Sequence, residues 1–202
     1  LGGKTDPFDG EGPVLYILVN FWLSATLVIA VAVILLLILT YNRLVGLRQN
    51  CKQGVADIDA QLRQRFDLVP NLVETVKGYA AHEKDTLERV VAARNAAAAV
   101  PGAKSEQALT GAIGGLLALG EAYPDLKASA NFQSLQGELS DVEDRLAASR
   151  RAMNAAVARY NGARESFPAV LFAAMLGFGP ADFTEIAAAD RALVGAAPKV
   201  SF

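Results

Sequence analysis

The sequence predicts an all-α protein, with a single N-terminal transmembrane helix continuing into a cytoplasmic antiparallel bundle of long helices. Three observations support that expectation. Val14–Thr40 carries no charged side chain. Beyond it, apolar residues recur every three or four positions, the period of a helix buried along one stripe. Proline-containing breaks at Val100-Pro101-Gly102, Tyr123-Pro124 and Phe167-Pro168 then divide the remainder into helix-length segments.

Leu1–Pro13 is rich in Gly, Pro and acid, and is expected to be a flexible tail over residues 1–13. The anchor follows over residues 14–41. A bilayer core about 30 Å thick needs about 20 apolar residues as a helix, and the run from Val14 through Trp22, Leu27 and Leu36 to Tyr41 is long enough. Tyr16, Phe21 and Trp22 at one end and Tyr41 at the other suit the two interfaces. A buried core helix is seldom this long, and a cleaved leader would carry its basic residues before the apolar run, so a permanent anchor is expected. Arg43, Arg48 and Lys52 follow the run, whereas Asp6, Asp9 and Glu11 precede it. The excess of basic residues places the C-terminal bulk in the cytoplasm and the N-terminus outside.

From Leu44 the apolar stripe runs through Leu47, Cys51, Val55, Ile58, Leu62, Phe66, Val69, Val73, Val76 and Ala80. It implies a helix leaving the membrane without interruption. Pro70 removes a backbone donor and should kink that helix rather than divide it, since the stripe keeps phase beyond it. Side chains around Asp67–Asn71 are expected to satisfy the backbone groups it frees. The helix is then expected to continue through His82, Leu87 and Val90 to the alanine run before Pro101.

Ser105–Gly120 reads as a weaker helix, because Gly111, Gly114 and Gly115 cost stability unless something packs closely on them. Without a preceding strand or a following lysine at the required spacing, packing is a better reading of these glycines than a phosphate loop. Pro124 then breaks the chain, with Asp125 available as a cap. A third helix runs from Phe132 to near Phe167-Pro168. Its polar face includes Glu138, Asp141, Glu143, Asp144, Arg145, Arg150, Arg151 and Arg159, either solvated or meeting a neighbouring copy in stagger. Ala169–Phe178, which contains Leu171 and Phe172, is too short to span a membrane. Core closure is its first reading, and a lipid or partner surface the second. Residues 179–202 form a tail with one apolar cluster at Phe183 and Ile186.

With those residues in place, the chain resembles the LemA family of bacterial membrane proteins. The resemblance rests on Tyr41-Asn42 with Leu44-Val45, DLVPNLVETVKGYAAHE from Asp67 to Glu83, EAYPDLKA from Glu121 to Ala128, NFQSLQGEL from Asn131 to Leu139, and Tyr160-Asn161 with Phe167-Pro168. One departure is Met153 before Asn154, where the family usually has an aromatic. The resemblance implies a LemA-like helical bundle over residues 42–178 at the bacterial inner membrane. It supplies no catalytic residues.

The composition is consistent with that. A formal charge of −2 gives no broad nucleic-acid surface. With one cysteine and one histidine, neither an intramolecular disulfide nor a histidine-based metal site is available, and no cofactor is expected. Cys51 lies on the apolar stripe, and neighbouring His82 and Glu83 point about 100° apart on a helix, so neither suggests catalysis. The expected function is a non-enzymatic scaffold contacting membrane lipid and self-assembling as a homo-oligomer. The candidate surface comprises Gly111, Gly114, Gly115, Arg145, Arg150, Arg151, Leu171 and Phe172. The alternative is an adaptor for a membrane protease or an envelope-stress partner, docking through Ala169–Phe178.

Overall fold

The computed structural model describes residues 12–184, with side chains from Tyr16 onward. Of the expected tail over residues 1–13, residues 1–11 lie outside the described residues, as do the side chain of Val14 and Ile186 with the rest of residues 185–202. Gly12 and Pro13 already belong to the first helix rather than to a tail. Those described are all-helical, without strands. In order they are α1 (Gly12–Tyr79), α2 (Lys84–Ala99), α3 (Ala103–Ala122), the short α4 (Pro124–Ala128), α5 (Ala130–Glu165) and a 3-10 turn over Ala169–Leu171. They fall into two compact units, one comprising residues up to Leu47 with Gly162–Gly179, the other Arg48–Asn161 with residues from Pro180.

The second unit is built around one core. Val69, Leu72 and Val76 of α1, Leu87 and Val90 of α2, Leu109, Ile113 and Leu116 of α3, Leu126 of α4, and Phe132, Leu139 and Val142 of α5 are buried together. Pro70 lies inside α1 without ending it, as its unbroken stripe requires. Val55 does not follow the stripe: it is exposed, and Gly54 is buried instead. An added Cβ at Gly54 would lie 2.8 Å from Met153 Sδ and 3.2 Å from Met153 Cα, so only a glycine allows α5 this close. Gly120 is used in the same way, beneath the Phe132 ring.

The expected passage of one helix through His82 is not what forms. Helix α1 stops at Tyr79, and α2 begins at Lys84. The Glu83 amide donates to the Ala80 carbonyl at 3.1 Å across the intervening turn. The turn brings Leu87 and Val90 into the core that holds Val69 and Val76; a straight helix would carry them away from it. Pro124 opens α4 at its first turn, with Tyr123 as the flanking residue; no side chain caps it, so Asp125 does not serve as the cap.

Candidate functional surfaces

The first unit contains the apolar segment. Among the described residues, one helix is long and apolar enough to cross a membrane, and none of its most apolar window is buried. Trp22, Leu27, Leu36 and Tyr41 are all exposed. Its polar side chains bond to their own helix. Asn20 Nδ2 donates to the Tyr16 carbonyl at 2.7 Å, Ser24 Oγ to Phe21 at 2.9 Å, Thr26 Oγ1 to Leu23 at 2.9 Å and Thr40 Oγ1 to Leu36 at 2.7 Å. Polar groups paired within one helix are the arrangement a hydrocarbon environment demands.

In the same unit, Ala169–Phe178 only partly closes a core. Ala169, Ala173 and Phe178 are buried, whereas Val170, Leu171, Met175 and Leu176 are exposed and Phe172 is half-buried. The Phe178 ring meets Tyr41 edge-on, with centroids 5.4 Å apart.

In the second unit, a proline and an arginine lock α1 to α2. Pro70 has no amide hydrogen, so the Phe66 carbonyl four residues earlier loses its helical donor. Arg94 of α2 takes that place, its Nε donating to the Phe66 oxygen at 2.9 Å. The expectation that nearby side chains on the same helix would do this is therefore corrected.

Below it lies a buried charge cluster that the sequence pattern did not reveal. Arg65 is 3% exposed, and its Nη2 donates to Thr110 Oγ1 and to Glu143 Oε1, both at 2.9 Å. Burial pushes the guanidinium pKa down, while Glu143 and Glu106 oppose the shift. Arg150 pairs with Glu106 on α3. The polar face of α5 is thus only partly solvated: Glu143 and Arg150 reach other helices, whereas Arg145 makes an exposed pair with Asp141 at 3.8 Å and Arg151 is exposed. Arg65 stands three residues after Leu62 and seven before Leu72, in phase with the stripe. That phase was the available signal.

Two asparagines of α5 grip an extended stretch of chain. Asn161 Nδ2 donates to the Ala181 carbonyl at 2.9 Å while its Oδ1 accepts from the Ala181 amide at 3.0 Å. Asn154 does the same with Thr184, accepting from its amide at 2.9 Å and donating to its carbonyl at 3.3 Å. Seven helical residues advance about 10 Å, matching about three residues of extended chain. That match fixes the spacing of the two side chains.

Among the described residues nothing packs on Gly111, Gly114 or Gly115: an added Cβ at each would meet no atom within 4 Å. Together with exposed Ala108 and Ala118 they leave one face of α3 open. No described residue makes the expected close approach to these glycines. Among the described residues, no group of three or more His, Cys, Asp or Glu could hold a metal ion. His82 is exposed in the turn, and Cys51 is buried, with burial raising its thiol pKa against the opposing charge of Arg159. Asp85, Glu88 and Arg89 line an open surface depression.

Comparison with known proteins adds a family. The LemA family model matches residues 54–202. The chain is 25% identical to the magnetosome protein MamQ of Magnetospirillum gryphiswaldense over 216 aligned positions, 92% of this chain and 78% of that protein. It is 26% identical to MamQ 1 and MamQ 2 of Paramagnetospirillum magneticum, with the same coverage.

Proposed function

The chain belongs to the LemA family, and on that footing we propose that it is a non-enzymatic scaffold of the bacterial inner membrane. The apolar part of α1 spans the bilayer once. The N-terminus lies outside, and the remaining helices form an antiparallel bundle in the cytoplasm. Copies associate side by side through the open face of α3. The matches to magnetosome proteins support a membrane setting.

One observation carries the self-assembly: three exposed glycines of α3 have no described residue packed on them. Each glycine in a helix interior costs about 0.8–1.0 kcal/mol relative to alanine, and among the described residues no contact offsets that loss. Small residues of this kind allow two helix backbones to approach closely. A second copy supplies the missing neighbour, and the exposed Arg145–Asp141 pair and Arg151 on α5 offer charges for a staggered contact.

The test is co-isolation. Two differently tagged copies produced together should be recovered together from detergent-extracted membranes; recovery of each tag alone overturns the proposal. In intact cells, Lys127 should resist a membrane-impermeant amine reagent, and its modification from outside would reverse the orientation.

A further inference from the structure

We infer that the segment from Phe167 to Leu176 lies in the bilayer interface as a second membrane contact, its apolar side chains embedded in the leaflet on the Arg43 side of α1. The inference rests on α1 spanning the bilayer.

Ser166–Phe178 contains no charged residue and is bracketed by Arg164-Glu165 and Asp182. At that length it cannot cross a bilayer but can lie in its interface. Phe167 is 78% exposed, Leu171 68% and Met175 86%. An apolar cluster this exposed is unusual in a segment facing water.

The continuity of this cluster with the apolar helix indicates what covers it. Leu35, Leu36 and Leu39 of α1 line one apolar cleft, of about 500 Å³, with Phe167, Pro168 and Ala169, and Arg43 borders it. The Tyr41–Phe178 ring contact ties the far end of the segment to the same stretch of α1. Gly177, at φ +77°, makes the turn that returns the chain to Tyr41. The Phe178 amide donates to the Ala173 carbonyl at 2.9 Å across that turn. The run from Val14 to Thr40 is about 40 Å long as a helix, longer than the about 30 Å of hydrocarbon it crosses. Its last turns, Leu35–Leu39, therefore reach the boundary between acyl chains and headgroups. Side chains sharing a cleft with those turns lie at that depth, where acyl chains fill the cleft and Arg43 meets lipid phosphate.

The experiment uses the full chain in vesicles of phosphatidylcholine and phosphatidylglycerol, with Cys51→Ser as background. An environment-sensitive fluorophore is attached in turn at Leu171→Cys, Met175→Cys, Val28→Cys and Ser134→Cys. Each is challenged with nitroxide-bearing phospholipid and, separately, with iodide present on both faces. Val28 is the reference for the spanning helix, and exposed Ser134 the reference for water. Labels at Leu171 and Met175 should lose about half their emission to shallow nitroxide lipid and be quenched by iodide about threefold less than the label at Ser134. Iodide quenching equal to that at Ser134, with no response to nitroxide lipid, would overturn the inference. So would shielding from both quenchers, which would mean that protein covers the segment, as in docking of a partner or a second copy. If the Val28 label escapes nitroxide lipid, the spanning helix itself fails; if only Leu171 and Met175 escape it, the interfacial contact alone fails.

Discussion

Replacing Arg94 with leucine tests whether a side chain on α2 stands in for the backbone donor that Pro70 lacks. In the native chain the substitution leaves the Phe66 carbonyl, partly buried at the α1–α2 contact, without the 2.9 Å bond it accepts from Arg94 Nε. An unsatisfied buried acceptor costs about 1–3 kcal/mol. In a Pro70→Ala background, the substituted residue donates its own amide to the same oxygen, so removing Arg94 should cost less than about 1 kcal/mol. The resulting coupling of about 1–2 kcal/mol is typical of residues that share one partner. For a domain of this size it separates the two backgrounds by about 3–6 °C in Tm. Helicity at 222 nm, followed on heating detergent-solubilised protein for all four combinations, measures it. Equal Tm losses from Arg94→Leu in both backgrounds would refute the exchange of donors.

The remaining predictions concern the other contacts in the second unit. Glu143→Gln leaves Arg65 buried without its carboxylate and should destabilise by about 1–3 kcal/mol, less than for a fully buried pair because Glu143 is half exposed. Arg65→Met removes the buried charge at similar volume and should be neutral or mildly stabilising; a larger loss from Arg65→Met than from Glu143→Gln would contradict this asymmetry. Asn161→Ala deletes both bonds to Ala181, so amide exchange at Ala181 should accelerate about tenfold, in line with about 1.4 kcal/mol lost; unchanged exchange would show that the clamp holds nothing. Burial raises the Cys51 pKa above the usual 9.0, so the folded state keeps its proton. The associated stability is present at neutral pH and fades as pH rises through the folded value. Maleimide at pH 8 should therefore modify native Cys51 more slowly than the unfolded chain by at least about tenfold, and equal rates would contradict its burial.

Much of this was legible in the sequence, for a physical reason that differs from element to element. The uncharged run and the three-to-four spacing follow directly from burial or lipid contact along a helix, and Leu62, Val69 and Val76 are buried as the spacing requires. Contacts between residues distant in the chain were not visible. Nothing near Pro70 points to Arg94 as the replacement donor, because the partner lies 28 positions from Phe66 and its arrival depends on the turn at Ala80–Glu83. That turn has no proline and no glycine between Ala80 and Glu83, so local propensity did not mark it, and core packing decided it. Glu143 and Arg150 looked like surface charges because periodicity gives the face of a helix but not the length a side chain can reach. The asparagine clamp was similarly hidden: Asn154 and Asn161 sit two helical turns apart, which is informative only once an extended segment is known to lie beside them. The glycines of α3 were visible as a peculiarity, but their spacing did not reveal that no described residue packs on them.

Self-assembly through that face is measured most directly by the mass of the detergent-extracted particle. Native protein at micromolar concentration should scatter light as a multiple of its 21.3 kDa chain after the detergent contribution is subtracted. A Gly111→Leu/Gly115→Leu variant, made where an added Cβ meets no described atom within 4 Å, should fold with full helicity yet scatter as a single chain. A native particle of single-chain mass, or a variant whose mass equals the native multiple, would contradict the account.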